Sequence, residues 1–230
     1  MEPVATNLSE IIRYRRENDW AWTTKEFNAL ASDLTNAISV LHNNKISHND
    51  IRPCNVFYST EKNCYQLGCF GNSVKQEGNA ANQVRTSNYF GAPELLVQAE
   101  ADLQKADVYS LGMTLLCAFF LCEPVDRKKA THHTREYSEK FSIMGLVKEM
   151  IMPVEKRISL DLVRKKMPKG ENSNKMKGLI QSLRYKNAPK DRKLINTKKA
   201  MSDAYEKLGL WNEWKDNVNE AYELEQNEFD

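Results

Sequence analysis

Among the side chains whose types could bind a metal or cross-link the chain, five cysteines and an adjacent pair of the four histidines draw attention first. Cys54, Cys64, Cys69, Cys117 and Cys122 are odd in number and show no Cys-x-x-Cys spacing, which argues against both a disulfide framework and a zinc site. His132 and His133 lie in a charged stretch with no third ligand near in sequence, so they read as solvated loop residues. No metal is expected, and free thiols fit a reducing cytoplasmic compartment. Two loops stand out besides these residues. Ile46 to Cys54 is polar and carries a proline, and Gly71 to Gly91 is long, polar and poorly periodic. A loop of that length in a compact domain usually has a function.

The elements that must position these loops can be read from periodicity. Leu8 to Arg16 predicts a short helix. Thr23-x-x-Glu26 is a capping-box pattern, and Phe27, Leu30, Ala31, Leu34, Ala37, Ile38 and Leu41 recur along one helical face. Val56 to Tyr58 and Cys64 to Leu67 predict strands, joined as a hairpin by the turn-rich Ser59 to Asn63. The apolar run Val108 to Cys122 is too short for a membrane span, and it holds Ser110 and Gly112 between close flanks Asp107 and Glu123. A helix apolar all round belongs inside a core. Phe141 to Met152 predicts a further helix, stopped by Pro153. With 230 residues, 41% of them hydrophobic, the chain can form one ordinary domain and an appendage. No signal-peptide pattern opens the sequence.

Five segments in order resemble eukaryotic protein kinases. Leu41-His42-Asn43-Asn44-Lys45-Ile46-Ser47-His48-Asn49-Asp50-Ile51-Arg52-Pro53-Cys54-Asn55-Val56 is similar to the catalytic loop, which that family writes as His-Arg-Asp, two residues, Pro, one residue, Asn. Cys69-Phe70-Gly71 falls where the family has Asp-Phe-Gly, and Ala92-Pro93-Glu94 matches the end of its activation segment. Asp107-Val108-Tyr109-Ser110-Leu111-Gly112 matches the start of its central helix, and Pro153-Val154-Glu155-Lys156-Arg157-Ile158-Ser159 a late arginine motif. The resemblance implies an α+β, mainly helical fold: a kinase C-lobe with a short β-hairpin over residues 1–168, then a charged helical extension over 169–230. It further implies that Glu94 pairs with Arg157 and that Asp107 holds the backbone of the catalytic loop.

For function, the resemblance puts Asp50 in the catalytic-base position, Arg52 where most Ser/Thr kinases carry lysine, and Asn55 at the second magnesium ligand. Ser87 stands where a threonine usually contacts the catalytic loop, and Asn49 replaces the arginine that docks a phosphorylated activation loop. Phosphoryl transfer also needs a Gly-rich loop, a strand lysine with its glutamate, and magnesium held by a carboxylate. Met1-Glu2-Pro3-Val4 resembles the hinge that follows the N-lobe, so no N-lobe is expected in this chain, and Cys69 replaces the metal-binding Asp. The expectation is therefore a pseudokinase with no cofactor, in which Asp50, Arg52 and Asn55 are vestigial and the chain serves as a scaffold. The alternative is a weak or atypical Ser/Thr-type kinase, using ATP and magnesium, whose N-lobe lies upstream or on another chain.

The formal charge of +2 gives no reason to expect nucleic acid or an anionic membrane as partner. Its distribution is uneven. From Lys165 to Ala200 there are 12 basic residues against 2 acidic, and from Met201 to Asp230 there are 2 against 9. Met201, Ala204, Tyr205 and Leu208 are at helical spacing up to Gly209, and Trp211, Trp214, Val218, Ala221 and Tyr222 mark a second amphipathic helix. This pattern predicts a partner-binding helical hairpin, with Trp211, Trp214 and Tyr222 as contacts and an acidic protein surface such as a cytoskeletal polymer as target. Only Tyr185 offers a stacking ring among the lysines, which disfavours nucleic acid. A cleft floor around Phe57 and Leu67 is expected to be open to a second protein partner.

Overall fold

The computed structural model describes residues 6–75, 89–96, 101–122 and 142–170. Ser87, His132, His133, Trp211, Trp214 and Tyr222, and nearly all of the predicted C-terminal extension, lie outside the described residues.

Two helices open the fold, and each is started by a reciprocal cap. Asn7 accepts from the Glu10 amide at 3.0 Å while Glu10 accepts from the Asn7 amide, which begins α1 (Leu8–Glu17). Thr23 and Glu26 do the same for α2 (Thr24–Asn43). These contacts satisfy amides that have no partner inside a helix. The apolar stripe of α2 is buried from Phe27 through Leu41 and packs against Cys64–Leu67 and Leu160–Lys166. Helix α3 (Leu103–Phe119), capped by Asp102, is buried on nearly every side. No helix among the described residues is long and apolar enough to cross a membrane.

Helix α4 (Ser142–Met150) lies against α3 at Gly112, where a Cβ would stand 2.8 Å from Ile151 Cγ2 and 2.9 Å from Met150 Cβ. Only the missing side chain lets the two helices come this close. Helix α5 (Leu160–Lys166) follows, capped by Ser159.

The sheets are small. Strand β3 (Val56–Ser59) pairs antiparallel with β1 (Thr6–Asn7) on one side and with β4 (Cys64–Leu67) on the other, so the predicted hairpin forms the greater part of a three-stranded sheet. β2 (Ile46–Ser47) pairs antiparallel with β5 (Val74–Lys75). The fold is mainly helical with small sheets, in line with the sequence.

Two features differ from expectation. Phe57 and Leu67, predicted to floor an open cleft, are only 5% and 4% exposed, because β3 is the central strand and the hairpin is backed by α2. Arg15 is fully buried, although arginine rarely is unless paired. Its guanidinium lies 3.8 Å from the Trp22 ring centre, 4.8 Å from that of Trp20 and 3.4 Å from Glu26 Oε2. Trp22 in turn donates to the Ala118 carbonyl at 2.8 Å, tying this cluster to the end of α3.

Candidate active site

The loop between β2 and the single helical turn Pro53–Asn55 hangs from one carboxylate. Asp107, fully buried on α3, accepts from the His48 and Asn49 amides at 2.8 Å each, and His42 Nε2 lies 2.9 Å from its Oδ2. A buried charge needs such partners to offset its lost hydration. Asn49 adopts a left-handed conformation with φ of 62°, which asparagine tolerates better than most residues. Its side chain donates to the Ser47 carbonyl at 3.3 Å and the Asn72 carbonyl at 3.1 Å.

His48 is fully buried, and its partners fix its tautomer. Nε2 lies 2.9 Å from the Gly68 carbonyl, which can only accept, and Nδ1 receives the Asp50 amide at 3.2 Å, which can only donate. The ring is therefore neutral with its proton on Nε2. Burial pushes its pKa below the ordinary histidine value, against the opposing pull of Asp107.

Asp50 is the carboxylate that this arrangement presents. Its side chain is 12% exposed, Oδ2 accepts from Asn55 Nδ2 at 2.8 Å, and Arg52 Nε lies 3.1 Å from Oδ1. Asn55 also donates to the Asp50 carbonyl at 2.7 Å, and its own carbonyl receives Gly68 N–H at 2.9 Å. Thr114 on α3 donates to the Ile51 carbonyl at 3.3 Å. Asp50 and Asn55 are thus hydrogen-bonded to each other, and Arg52 joins them as an ion-pair partner whose Nε makes no hydrogen bond among the described residues. Each carboxylate oxygen has one partner and keeps lone-pair capacity for a hydroxyl proton, as a general base requires.

Cys69 stands beside this unit in a left-handed conformation, φ 64° and ψ 58°. Burial, then the Cys54 thiol and Asp50, push its pKa up to about 11. It is a neutral thiol at pH 7 and a soft ligand, whereas magnesium demands hard oxygen ligands in octahedral array. No group of three or more His, Cys, Asp or Glu placed to hold a metal occurs among the described residues. The donor set around Cys69 does not fit magnesium. Phe70 is buried with its ring edge-on to His48, centroids 5.0 Å apart, and Gly71 has open space where a Cβ would be.

Ala92 is fully buried, Pro93 opens the short turn Pro93–Leu96, and Glu94 is 5% exposed. Arg157 reaches both carboxylate oxygens of Glu94, with Nη2 3.1 Å from Oε2. It also donates to the Lys105 and Met152 carbonyls at 3.0 Å each and stacks 4.9 Å from the Tyr109 ring centre. One guanidinium therefore joins the turn, α3 and the segment after α4.

The sequence of the protein kinase domain family matches residues 1–205. The chain belongs to the protein kinase family. It is 34% identical over 122 residues to human mitogen-activated protein kinase kinase kinase 4, which takes in 50% of this chain and 7% of that protein. It is 30% identical over 130 residues to the mouse serine/threonine-protein kinase Kist, 52% of this chain and 30% of that protein. A third relative, serine/threonine-protein kinase dst3 of Dictyostelium discoideum, is 32% identical over 93 residues, 40% of this chain and 16% of that protein. The chain thus spans less than a third of the length of each of these relatives.

These findings correct the expectation that the chain is no enzyme. Its relatives are named as kinases, and the family match extends past the Pro168 limit read from the motifs. Cys69 changes a single position of the site, and Asp50 and Asn55 beside it remain hydrogen-bonded to each other.

Proposed function

We propose that this chain is the C-terminal lobe of a Ser/Thr-type protein kinase, transferring a phosphoryl group from ATP to a protein hydroxyl. The Gly-rich loop and phosphate-binding lysine come from residues outside these 230, on the same polypeptide or another. The supporting observation is Asp50, fixed by Asn55 and Arg52 on a loop suspended from buried Asp107. Asp50 accepts the proton of the attacking hydroxyl, and Arg52 lies beside the carboxylate as its ion-pair partner. Asn55 holds both in register through its two bonds to Asp50. Such proton transfer contributes about 10²- to 10⁴-fold in rate. In a radiolabel transfer assay on the native full-length protein, Asp50→Asn lowers incorporation by about that factor. Incorporation that is absent in the wild type, or equal in the variant, refutes the reading.

The charge split after Lys165 supports a second role for the extension over 169–230, docking an acidic protein surface through its basic stretch and through Trp211, Trp214 and Tyr222. Deleting Lys169 to Asp230 removes a salt-sensitive association if this is so. Co-purification of the truncated lobe with the same partners at the same salt counts against it.

A further inference from the structure

Beside the candidate catalytic loop lies a cavity of about 150 Å³ with an unusual wall. Ser9, Arg13 and Arg16 line it from α1, and Arg52 and Cys54 from the loop. Ile12, Phe90 and Cys117 supply an apolar base. Residues 9, 12, 13 and 16 fall on one face of a helix, while Leu8, Ile11 and Arg15 on the other side enter the core. The helix is therefore fixed in rotation by its buried side, and the exposed Arg13 and Arg16 lie on the side that lines the cavity.

Among the described residues, three arginines and no carboxylate line the cavity. Among the described residues, Arg13 and Arg16 have no ion-pair partner, and Arg52 uses only Nε toward Asp50. Such a concentration of positive charge attracts an anion, and guanidinium is the group best shaped for a carboxylate or phosphate. The ring at the base, Phe90, is only 9% exposed, which leaves no face on which a nucleobase could stack. Arg52 belongs to both sites. An anion held in the cavity therefore sits within a few residues of Asp50 along an extended peptide, at about 3.3 Å per residue.

We propose that this pocket selects the substrate, by receiving an anionic side chain close to the hydroxyl that is phosphorylated. The substrate class is then an acidic or previously phosphorylated peptide. This rests on the phosphotransfer reading above for its purpose, and its test does not.

Dye-labelled serine peptides of one sequence, varied near the serine to Glu, phosphoserine, Ala or Lys, are titrated with the full chain and read by fluorescence anisotropy. The Glu and phosphoserine peptides bind at least about tenfold more tightly than the Ala peptide, as charge-assisted bonds to arginine require. The ratio between them tells carboxylate from phosphate. Arg13→Glu with Arg16→Glu abolishes the preference, and Arg13→Lys with Arg16→Lys retains part of it, which separates charge from folding. The proposal is overturned if the Ala or Lys peptide binds equally, if charge reversal leaves the preference intact, or if a single-stranded oligonucleotide binds more tightly through the same arginines. Phosphotransfer is scored separately. Selective binding without Asp50-dependent transfer sinks the enzymatic reading alone, and transfer without selective binding sinks the pocket alone.

Discussion

Replacing Glu94 by alanine leaves the Arg157 guanidinium, whose side chain is fully buried, without its carboxylate. Stripping one partner from a buried ion pair costs about 3 to 5 kcal/mol. Two carbonyls and the Tyr109 ring still face Arg157, which places the cost near the lower end, at about 3 kcal/mol. For a chain of this size each kcal/mol moves the melting midpoint by about 2 to 4 °C, so the variant melts about 6 to 12 °C lower. Tryptophan fluorescence reads this directly, since Trp20 and Trp22 pack against the core. Glu94→Gln keeps one acceptor and falls between the two. The double variant Glu94→Leu with Arg157→Met removes both charges and recovers most of the loss, because an apolar replacement of a buried pair is often neutral. A Glu94→Ala midpoint within two degrees of wild type, or a double variant worse than the single, refutes the reasoning.

Three further perturbations test other parts of the structure. His48 is held neutral by burial, so below its ordinary pKa of 6.5 the unfolded chain binds a proton that the folded chain refuses. Its contribution is complete above that pH and lost as pH falls toward the depressed folded pKa, at up to about 1.4 kcal/mol per pH unit. Urea midpoints from pH 7 to 5 show this decline, and His48→Gln flattens it. An unchanged slope in the variant contradicts the assignment. Cys69, raised to about 11, is alkylated by iodoacetamide at pH 8 roughly 10²-fold more slowly than free cysteine, and peptide mapping that finds equal rates argues against its burial. Gly112→Ala forces a methyl against Ile151 and Met150 and costs about 1 to 3 kcal/mol in urea unfolding. No change there means α3 and α4 pack less closely than described.

Local signals in the sequence reached far into the fold. Thr23 and Glu26 announced α2, the apolar stripe gave its buried face, and the turn residues between Val56 and Leu67 gave the hairpin. Motif order placed Asp50 with Asn55, which are five residues apart and meet through a local turn. Features that depend on distant segments were not legible. Strand β1 is two residues long and exists only because β3 offers an edge. Arg15 reads as a surface residue on any helical wheel, and its burial is set by Trp20, Trp22 and Glu26 folding over it. The arginine cavity joins Arg13 and Arg16 to Arg52 across two other elements, a convergence no spacing records. The open floor at Phe57 and Leu67 failed for a similar reason, since an apolar residue in a strand does not say which element covers it.

Asp107 is contacted by residues 58, 59 and 65 positions earlier in the chain. The loop bearing Asp50 therefore cannot acquire its shape from its own residues. Its shape requires α3 to be docked against it, which makes the loop geometry a property of the tertiary structure. Loop closure over such a span carries an entropy cost that must be met before the contact gives anything back. A polypeptide that stops short of residue 107 carries Asp50, Arg52 and Asn55 in sequence yet lacks the carboxylate from which their loop hangs.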